Sequence, residues 1–307
     1  MRIAIMGAGG LGGYYGAMLA HGGESVAFIA RGEHLRALQR DGLHMESAHV
    51  GDFHLPQVDA TDDPAAIGSV DVVLMGVKAY DLEAASEAIR PLLGPDTFVV
   101  PLLNGVDMAE RIGAVLGPER VLGGTVFLSC NVIAPGRLRH VFNGPFVFGE
   151  LAGGLSDRAG ALEATLRAAG VNAEQSPDIR RDLWRKFIMV AALAGVSGAT
   201  RIPTRAVMAD PDTRALFEGA LREGEALARA SGVSLEDDVV ARHLAFADGV
   251  SPQHTVSMLL DLRVGRRLEL DVFQGTIVRL GERLGVPTPI HRVLYAALKP
   301  HVNGPPA

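Results

Sequence analysis

The sequence holds one cysteine, Cys130, among 307 residues, which excludes an internal disulfide and any metal site built from several cysteines. A lone thiol fits a reducing compartment. Aromatic residues amount to 5% and the formal net charge is −6. A basic footprint for nucleic acid is therefore missing, as are interleaved aromatics for single strands. No charge-free apolar run is long enough to span a bilayer, and the longest, 187–198, reads as a buried helix. The N-terminal Met1-Arg2-Ile3-Ala4-Ile5-Met6 starts like a secretory signal. Gly7, Gly9, Gly10, Gly12 and Gly13 interrupt it before an apolar core can form. No fixed-period repeat and no low-complexity tract occurs. The expectation is a cytoplasmic protein with no nucleic-acid partner and no membrane partner.

What is present is an ordinary globular balance, 48% hydrophobic and 21% charged. The length suggests about two domains, each large enough for its own core. The first half alternates compact apolar runs with helical stretches. Strands are predicted at 3–6, 25–30, 70–75 and 97–100, and helices at 11–20, 33–40, 82–93 and 108–116. Residues 43–58 read as a hairpin around Gly51-Asp52. Strands that alternate with helices argue a doubly wound parallel sheet, and their near-continuous Val/Ile/Leu content argues burial on both faces. From about Asp178 the strand signals stop. Helical periodicity takes over at 181–195, 211–230, 235–247, 255–264, 271–284 and 291–298, punctuated by Pro203, Pro211, Pro252, Pro287 and Pro289. The expected fold is α/β: an N-terminal Rossmann-type domain over 1–176 and an all-α domain over 177–307.

Gly7-Ala8-Gly9-Gly10-Leu11-Gly12 matches G-x-G-x-x-G. The spacing alone is weak in a chain with 37 glycines, but here it follows a strand and opens a helix. In that context Gly7 permits the tight turn, Gly9 lets the backbone approach a pyrophosphate, and Gly12 lets helix and strand pack closely. The second strand ends at Ala30-Arg31-Gly32. An acidic residue there suits the ribose of NAD, and an arginine suits the 2′-phosphate of NADP. Arg31 therefore points to NADP(H), although Glu33 stands close by. Lys78 and Asn104 follow the next two strong strands, at the ends where ligands bind in such sheets. Taken alone, Asn104-Gly105 reads equally well as a turn.

Reduction of a carbonyl needs a hydride on carbon and a proton on oxygen. Lys186 lies in Leu183-Trp184-Arg185-Lys186-Phe187, at the start of the most apolar helix, with Val190 and Ala194 following on one face. On an apolar face a lysine loses its charge more readily. A lysine that lays its stem on the surface and keeps its head in water is the competing reading. Ser257 and Glu269 would not be chosen alone. Ser257 reads as a residue near a helix cap, and Glu269 as part of a surface network with Arg263, Arg266 and Arg267. The ten histidines form no metal-ligand spacing, and most read as surface residues. Glu236-Asp237-Asp238 reads as a solvated helix start.

Together, Gly7–Gly12, Arg31, Val77-Lys78-Ala79, Asn104-Gly105, Leu183-Trp184-Arg185-Lys186, Ser257-Met258-Leu259 and Glu269-Leu270-Asp271 resemble the ketopantoate reductase (2-dehydropantoate 2-reductase) family over nearly the whole chain. The resemblance implies reduction of a 2-keto acid with NADPH, in a cleft between a Rossmann domain and a helical domain. It implies Lys186 as general acid. Asn104 and Glu269 would order cofactor and substrate, Lys78 and Arg31 would contact the cofactor, and Ser257 the substrate carboxylate. Three departures stand out. The family's asparagines one and two turns after the lysine are Val190 and Ala194 here. A third aligns near Thr204. The motif after Glu269 ends in Gln274-Gly275 rather than Asn-Gly. The implied substrate wall is thus less polar, with Ser197, Thr200 and Thr204 as the hydroxyls at hand. A homodimer stays open, since small-residue helix faces can bury against a second subunit or within one domain.

Overall fold

The computed structural model describes residues 1–251 and 254–306, so Pro252 lies outside the described residues. The chain divides into two compact units, Met1–Asp182 and Leu183–Ala307. Unit 1 opens with β1 (Arg2–Met6), α1 (Gly10–His21), β2 (Ser25–Ile29), α2 (Gly32–Asp41), β3 (Leu43–Ser47), β4 (Phe53–Leu55) and β5 (Asp59–Thr61). It continues with β6 (Val70–Met75), α3 (Leu82–Ala88), β7 (Leu93–Pro101), α4 (Met108–Leu116), β8 (Gly123–Ala134), β9 (Arg137–Gly149), α5 (Asp157–Ala168) and β10 (Ala173–Gln175).

The first sheet has the order β5-β2-β1-β6-β7, and its pairs are parallel. This is the Rossmann-type sheet expected from the apolar runs. In β1 and β2 every residue after the first is buried, as a sheet covered on both faces requires. The helix expected over 82–93 is shorter: α3 stops at Ala88 and a 3-10 turn, Arg90–Leu92, follows, because Pro91 cannot donate to a continuing α-helix.

A second sheet was not legible in the sequence. Its order is β10-β9-β3-β4, with β8 paired antiparallel to β9. β3 and β4 form the hairpin expected around Gly51-Asp52. Helix α1 packs against both sheets, which explains its small residues. A Cβ at Gly12 or Gly16 would strike Ile5 or Phe28 of the first sheet, and one at Gly10 or Gly13 would strike Cys130 or Leu138 of the second. Tyr14 and Tyr15, between these glycines, are fully buried in the same core.

The division between the units falls inside α6 (Ile179–Thr200). Unit 2 continues with α7 (Thr204–Ala209), α8 (Pro211–Ala230), α9 (Val239–Gly249), α10 (Ser257–Arg263), α11 (Thr276–Leu284) and α12 (Pro289–Leu298), and is helical among the described residues. Helix α8 shows how sequence sets such an element. Asp210 caps it by accepting from the amides of Asp212 and Thr213 at 3.1 and 2.9 Å, and Pro211 fills the first position. Phe217, Ala220, Leu221, Gly224, Leu227 and Ala228 then form its buried face. The single helix expected over 271–284 begins instead as a π-helix, Asp271–Gly275, before α11. Gly285, in the left-handed region at φ 68°, ends α11. No helix among the described residues is long and apolar enough to cross a membrane.

The histidines correct the surface reading. His140 and His291 are buried, and His34, His44, His243, His254 and His301 are half-buried. Burial of an imidazole is eased when a ring nitrogen finds a partner. His291 Nδ1 bonds Glu223 at 2.8 Å, and the same carboxylate accepts the amides of Ile290 and His291 at 2.7 and 3.0 Å, capping α12 from α8. The acidic run is also not simply solvated, for Glu236 pairs with Arg185.

Candidate functional site

In unit 1, parallel register aligns the carboxyl ends of four strands. Ile29, Met6, Met75 and Pro101 lie in one row across β2, β1, β6 and β7. The chain turns from β1 to β2 on one side and reaches β6 on the other. This is the switch point where ligands bind in such sheets. The glycine loop leaves β1 at this row, Lys78 lies beyond the end of β6, and Asn104 lies beyond the end of β7. Lys78 and Asn104 are both half-buried. Their shared edge is decided by strand order, which the sequence did not state.

The glycine loop is made of backbone. Gly7 takes φ +95°, a region costly for other residues, and its amide donates to the Ile29 carbonyl at 3.1 Å. Ala8 is buried, and its amide reaches the same carbonyl at 3.3 Å. A Cβ at Gly12 would sit 2.2 Å from the Gly7 oxygen, so only glycine lets α1 start this close to β1. Gly9 is the N-cap of α1 and supplies no side chain to its orphan amides. A Cβ at Gly9 would meet no protein atom within 4 Å. Gly10 and Leu11, half-buried, form the first turn, which contains no acidic residue.

Arg31 is the N-cap of α2, immediately after β2, and its side chain is exposed. Glu33 is bonded to Arg36, and that hydrogen bond holds its carboxyl below the usual range. The nearby acid is thus engaged with its own helix.

In unit 2, Lys186 is 8% exposed on α6. Burial pulls its ammonium down to about 8, and the charge of Glu269 acts in the opposite, stabilising direction. The structure therefore brings Lys186 and Glu269 into electrostatic contact and decides against a lysine head kept in water. Glu269 is half-buried two residues before the π-helix. Inside that π-helix, buried Gln274 donates from Nε2 to the Ala191 carbonyl of α6 at 2.6 Å. This bond ties the segment after Glu269 to the helix that carries Lys186. Arg185, beside Lys186, pairs with Glu236. Sequence reasoning chose neither Gln274 nor Glu236, and only the departure at 274 hinted at the first.

Further along α6, Val190 is half-buried and Ala194 fully buried. Of the three nearby hydroxyls, Thr200 donates to the Val196 carbonyl at 2.6 Å and Thr204 bonds His254 Nδ1 at 3.0 Å. Ser197 Oγ is buried with no hydrogen-bond partner among the described residues. Ser257 is exposed at the first residue of α10.

Comparison with known proteins identifies the family. The family described as ketopantoate reductase PanE/ApbA matches residues 3–153, and its C-terminal counterpart matches residues 178–302. The chain is similar to a 2-dehydropantoate 2-reductase of Mesorhizobium japonicum, at 34% identity over 97% of each chain. Among solved structures it is similar to a PanE/ApbA family ketopantoate reductase from Ralstonia eutropha, with TM-score 0.90 and 35% identity over 98% of each chain. It is also similar to a D-mandelate dehydrogenase solved with NADH, with TM-score 0.84 and 25% identity over 97% of this chain and 98% of that one. Matched over both units, the chain belongs to the PanE/ApbA ketopantoate reductase family and is an oxidoreductase of that family.

Proposed function

We propose that this protein reduces a 2-keto acid to the 2-hydroxy acid with NADPH. The first substrate to test is 2-dehydropantoate, whose product pantoate would place the enzyme in cytoplasmic pantothenate biosynthesis. The observation that carries this reading is Lys186, a buried ammonium held beside Glu269. We take residues 1–176 as the NADP-binding domain and 177–307 as the helical substrate domain.

The glycine loop suits a dinucleotide. The space in front of Gly9 is clear of protein, and the first amides of α1 are free of a side-chain cap. Gly7, Ala8, Gly9, Gly10, Leu11 and Gly12 would hold the pyrophosphate. Arg31 would pair with the 2′-phosphate, and the engagement of Glu33 with Arg36 supports NADP over NAD. Lys78 and Asn104 would contact the cofactor, and Asn104 the substrate as well. The nicotinamide supplies the hydride when bound. Lys186 delivers the proton to the substrate's carbonyl oxygen, so the product is the neutral hydroxyl and the lysine is left as the amine. Glu269 keeps that ammonium charged and oriented despite its burial, and orders the cofactor. Ser257 would bind the substrate carboxylate.

A second reading is favoured by Val190 and Ala194, which leave this stretch of α6 apolar: the same fold and cofactor acting on a less polar oxo-acid, hydroxy acid or imine. NADPH oxidation by the purified protein separates the two, with 2-dehydropantoate and a series of 2-keto acids, and NADH in parallel. Turnover of 2-dehydropantoate with NADPH is the expected result. Tight NADPH binding with turnover only of bulkier or less polar carbonyls would establish the second reading. No turnover of any oxo-acid would overturn the first.

A further inference from the structure

His34 joins three separate parts of unit 1. It is the third residue of α2, directly after the exposed Gly32 and Glu33. Its Nε2 lies 2.8 Å from the Ala8 carbonyl of the glycine loop. Its Nδ1 lies 3.2 Å from the amide of Gly136, in the turn between β8 and β9. A carbonyl can only accept and a backbone amide can only donate. The ring is therefore neutral, with its proton on Nε2, and each nitrogen has one role. Burial favours that neutral form, while the Ala8 carbonyl acts against it. The turn is itself anchored, because the Gly136 carbonyl accepts the His44 amide of β3 at 2.9 Å.

The Ala8 carbonyl matters because it shares a peptide plane with the Gly9 amide. In a trans peptide the carbonyl and the next amide point in opposite directions, and the chain has no cis bond among the described residues. Holding the Ala8 oxygen on the His34 side thus fixes the direction of the Gly9 amide. Gly9 is the N-cap of α1, and a Cβ there would meet no protein atom within 4 Å.

We propose that His34 is a positioning residue for the dinucleotide: it locks the Ala8–Gly9 peptide plane of the glycine loop against the β8–β9 turn, so that the loop meets phosphate already oriented. This rests on the reading that the loop holds NADP(H). Preorganised loops bind more tightly because ordering is not repeated at each binding event. The test measures NADPH dissociation constants by titration calorimetry for the full chain, for His34→Phe, which keeps a ring but no polar atom, and for His34→Gln, which keeps one donor and one acceptor. His34→Phe should bind NADPH about tenfold more weakly, the scale of one or two lost hydrogen bonds. KM for NADPH should rise while kcat falls far less, and His34→Gln should recover part of the affinity. Unchanged affinity in His34→Phe overturns the proposal and leaves the functional reading standing. Failure of the unsubstituted chain to bind NADPH removes both. Should His34→Phe not fold, ring ¹⁵N shifts of the unsubstituted protein decide. The Nε2–H tautomer with a resonance that moves on NADPH addition is expected, whereas an Nδ1–H tautomer or an unresponsive ring overturns the lock.

Discussion

The glycine loop of unit 1 and the Lys186 region of unit 2 are built from opposite materials. The loop is backbone: amides, a positive φ at Gly7 and glycines whose missing Cβ atoms let α1 approach β1. The phosphate binding proposed for it would survive most changes of neighbouring side chains and fail on the addition of one carbon. The Lys186 region is side chain: one ammonium moved away from its ordinary value by burial, with one carboxylate opposing that shift. Its chemistry depends on how dry and how charged the surroundings are. A backbone site is written in short-range spacing, and a side-chain site is written in tertiary environment.

The sharpest way to break this comparison is Lys186→Ala. It should lower kcat by about 10²–10⁴, the range for a lost general acid, while the NADPH dissociation constant stays within about twofold. Equal losses in both would show that the two regions are not separable. The pH profile comes next. As the proposed donor Lys186 would act only while protonated, and burial pulls the midpoint of its ammonium down to about 8. Turnover at saturating substrate should hold below that pH and fall by about tenfold per unit well above it. A profile flat from neutral pH to well above that midpoint would remove Lys186 as the proton donor.

Two alanine substitutions sharpen the backbone side. Gly12→Ala puts a Cβ 2.2 Å from the Gly7 oxygen and 2.9 Å from Ile5 Cγ2, so it should cost about 1–3 kcal/mol of stability in thermal or denaturant unfolding, with binding lost as the loop shifts. Gly9→Ala meets no protein atom, so its unfolding should match the parent while NADPH affinity falls. Parent-like affinity in Gly9→Ala would mean that the clear space is not where phosphate sits. The smallest effect is expected at Arg31. Arg31→Ala should weaken NADPH by about tenfold and NADH hardly at all, as expected for one charge-assisted contact to a phosphate. Equal weakening of both cofactors would assign Arg31 a structural role.

Much of the first sheet was legible because a strand buried on both faces is an unbroken apolar run, as at Ile3–Met6 or Val72–Met75. The second sheet was not. β8 and β9 contain Gly, Asn, Ser and Pro, and their pairing shifts register at Val126/Leu128, Ser129/Cys130 and Val132/Ala134, so no period of two survives. The histidines mislead for a related reason. Composition places them at the surface on average, but His34 and His291 are held inside by partners far away in sequence. At Lys186 the surrounding residues alone favoured a head kept in water, and burial overturned that reading.

By itself the sequence determined the elements whose cause is local: the turn at Gly7, the cap at Asp210, the stop at Gly285 and the helical face of α8. It also determined the order of the motifs that mark the family. Tertiary structure decided which strand ends share an edge and that Lys186 is buried beside Glu269. Those outcomes depend on register and desolvation. Both come from residues distant in the chain, and no window along the sequence contains them.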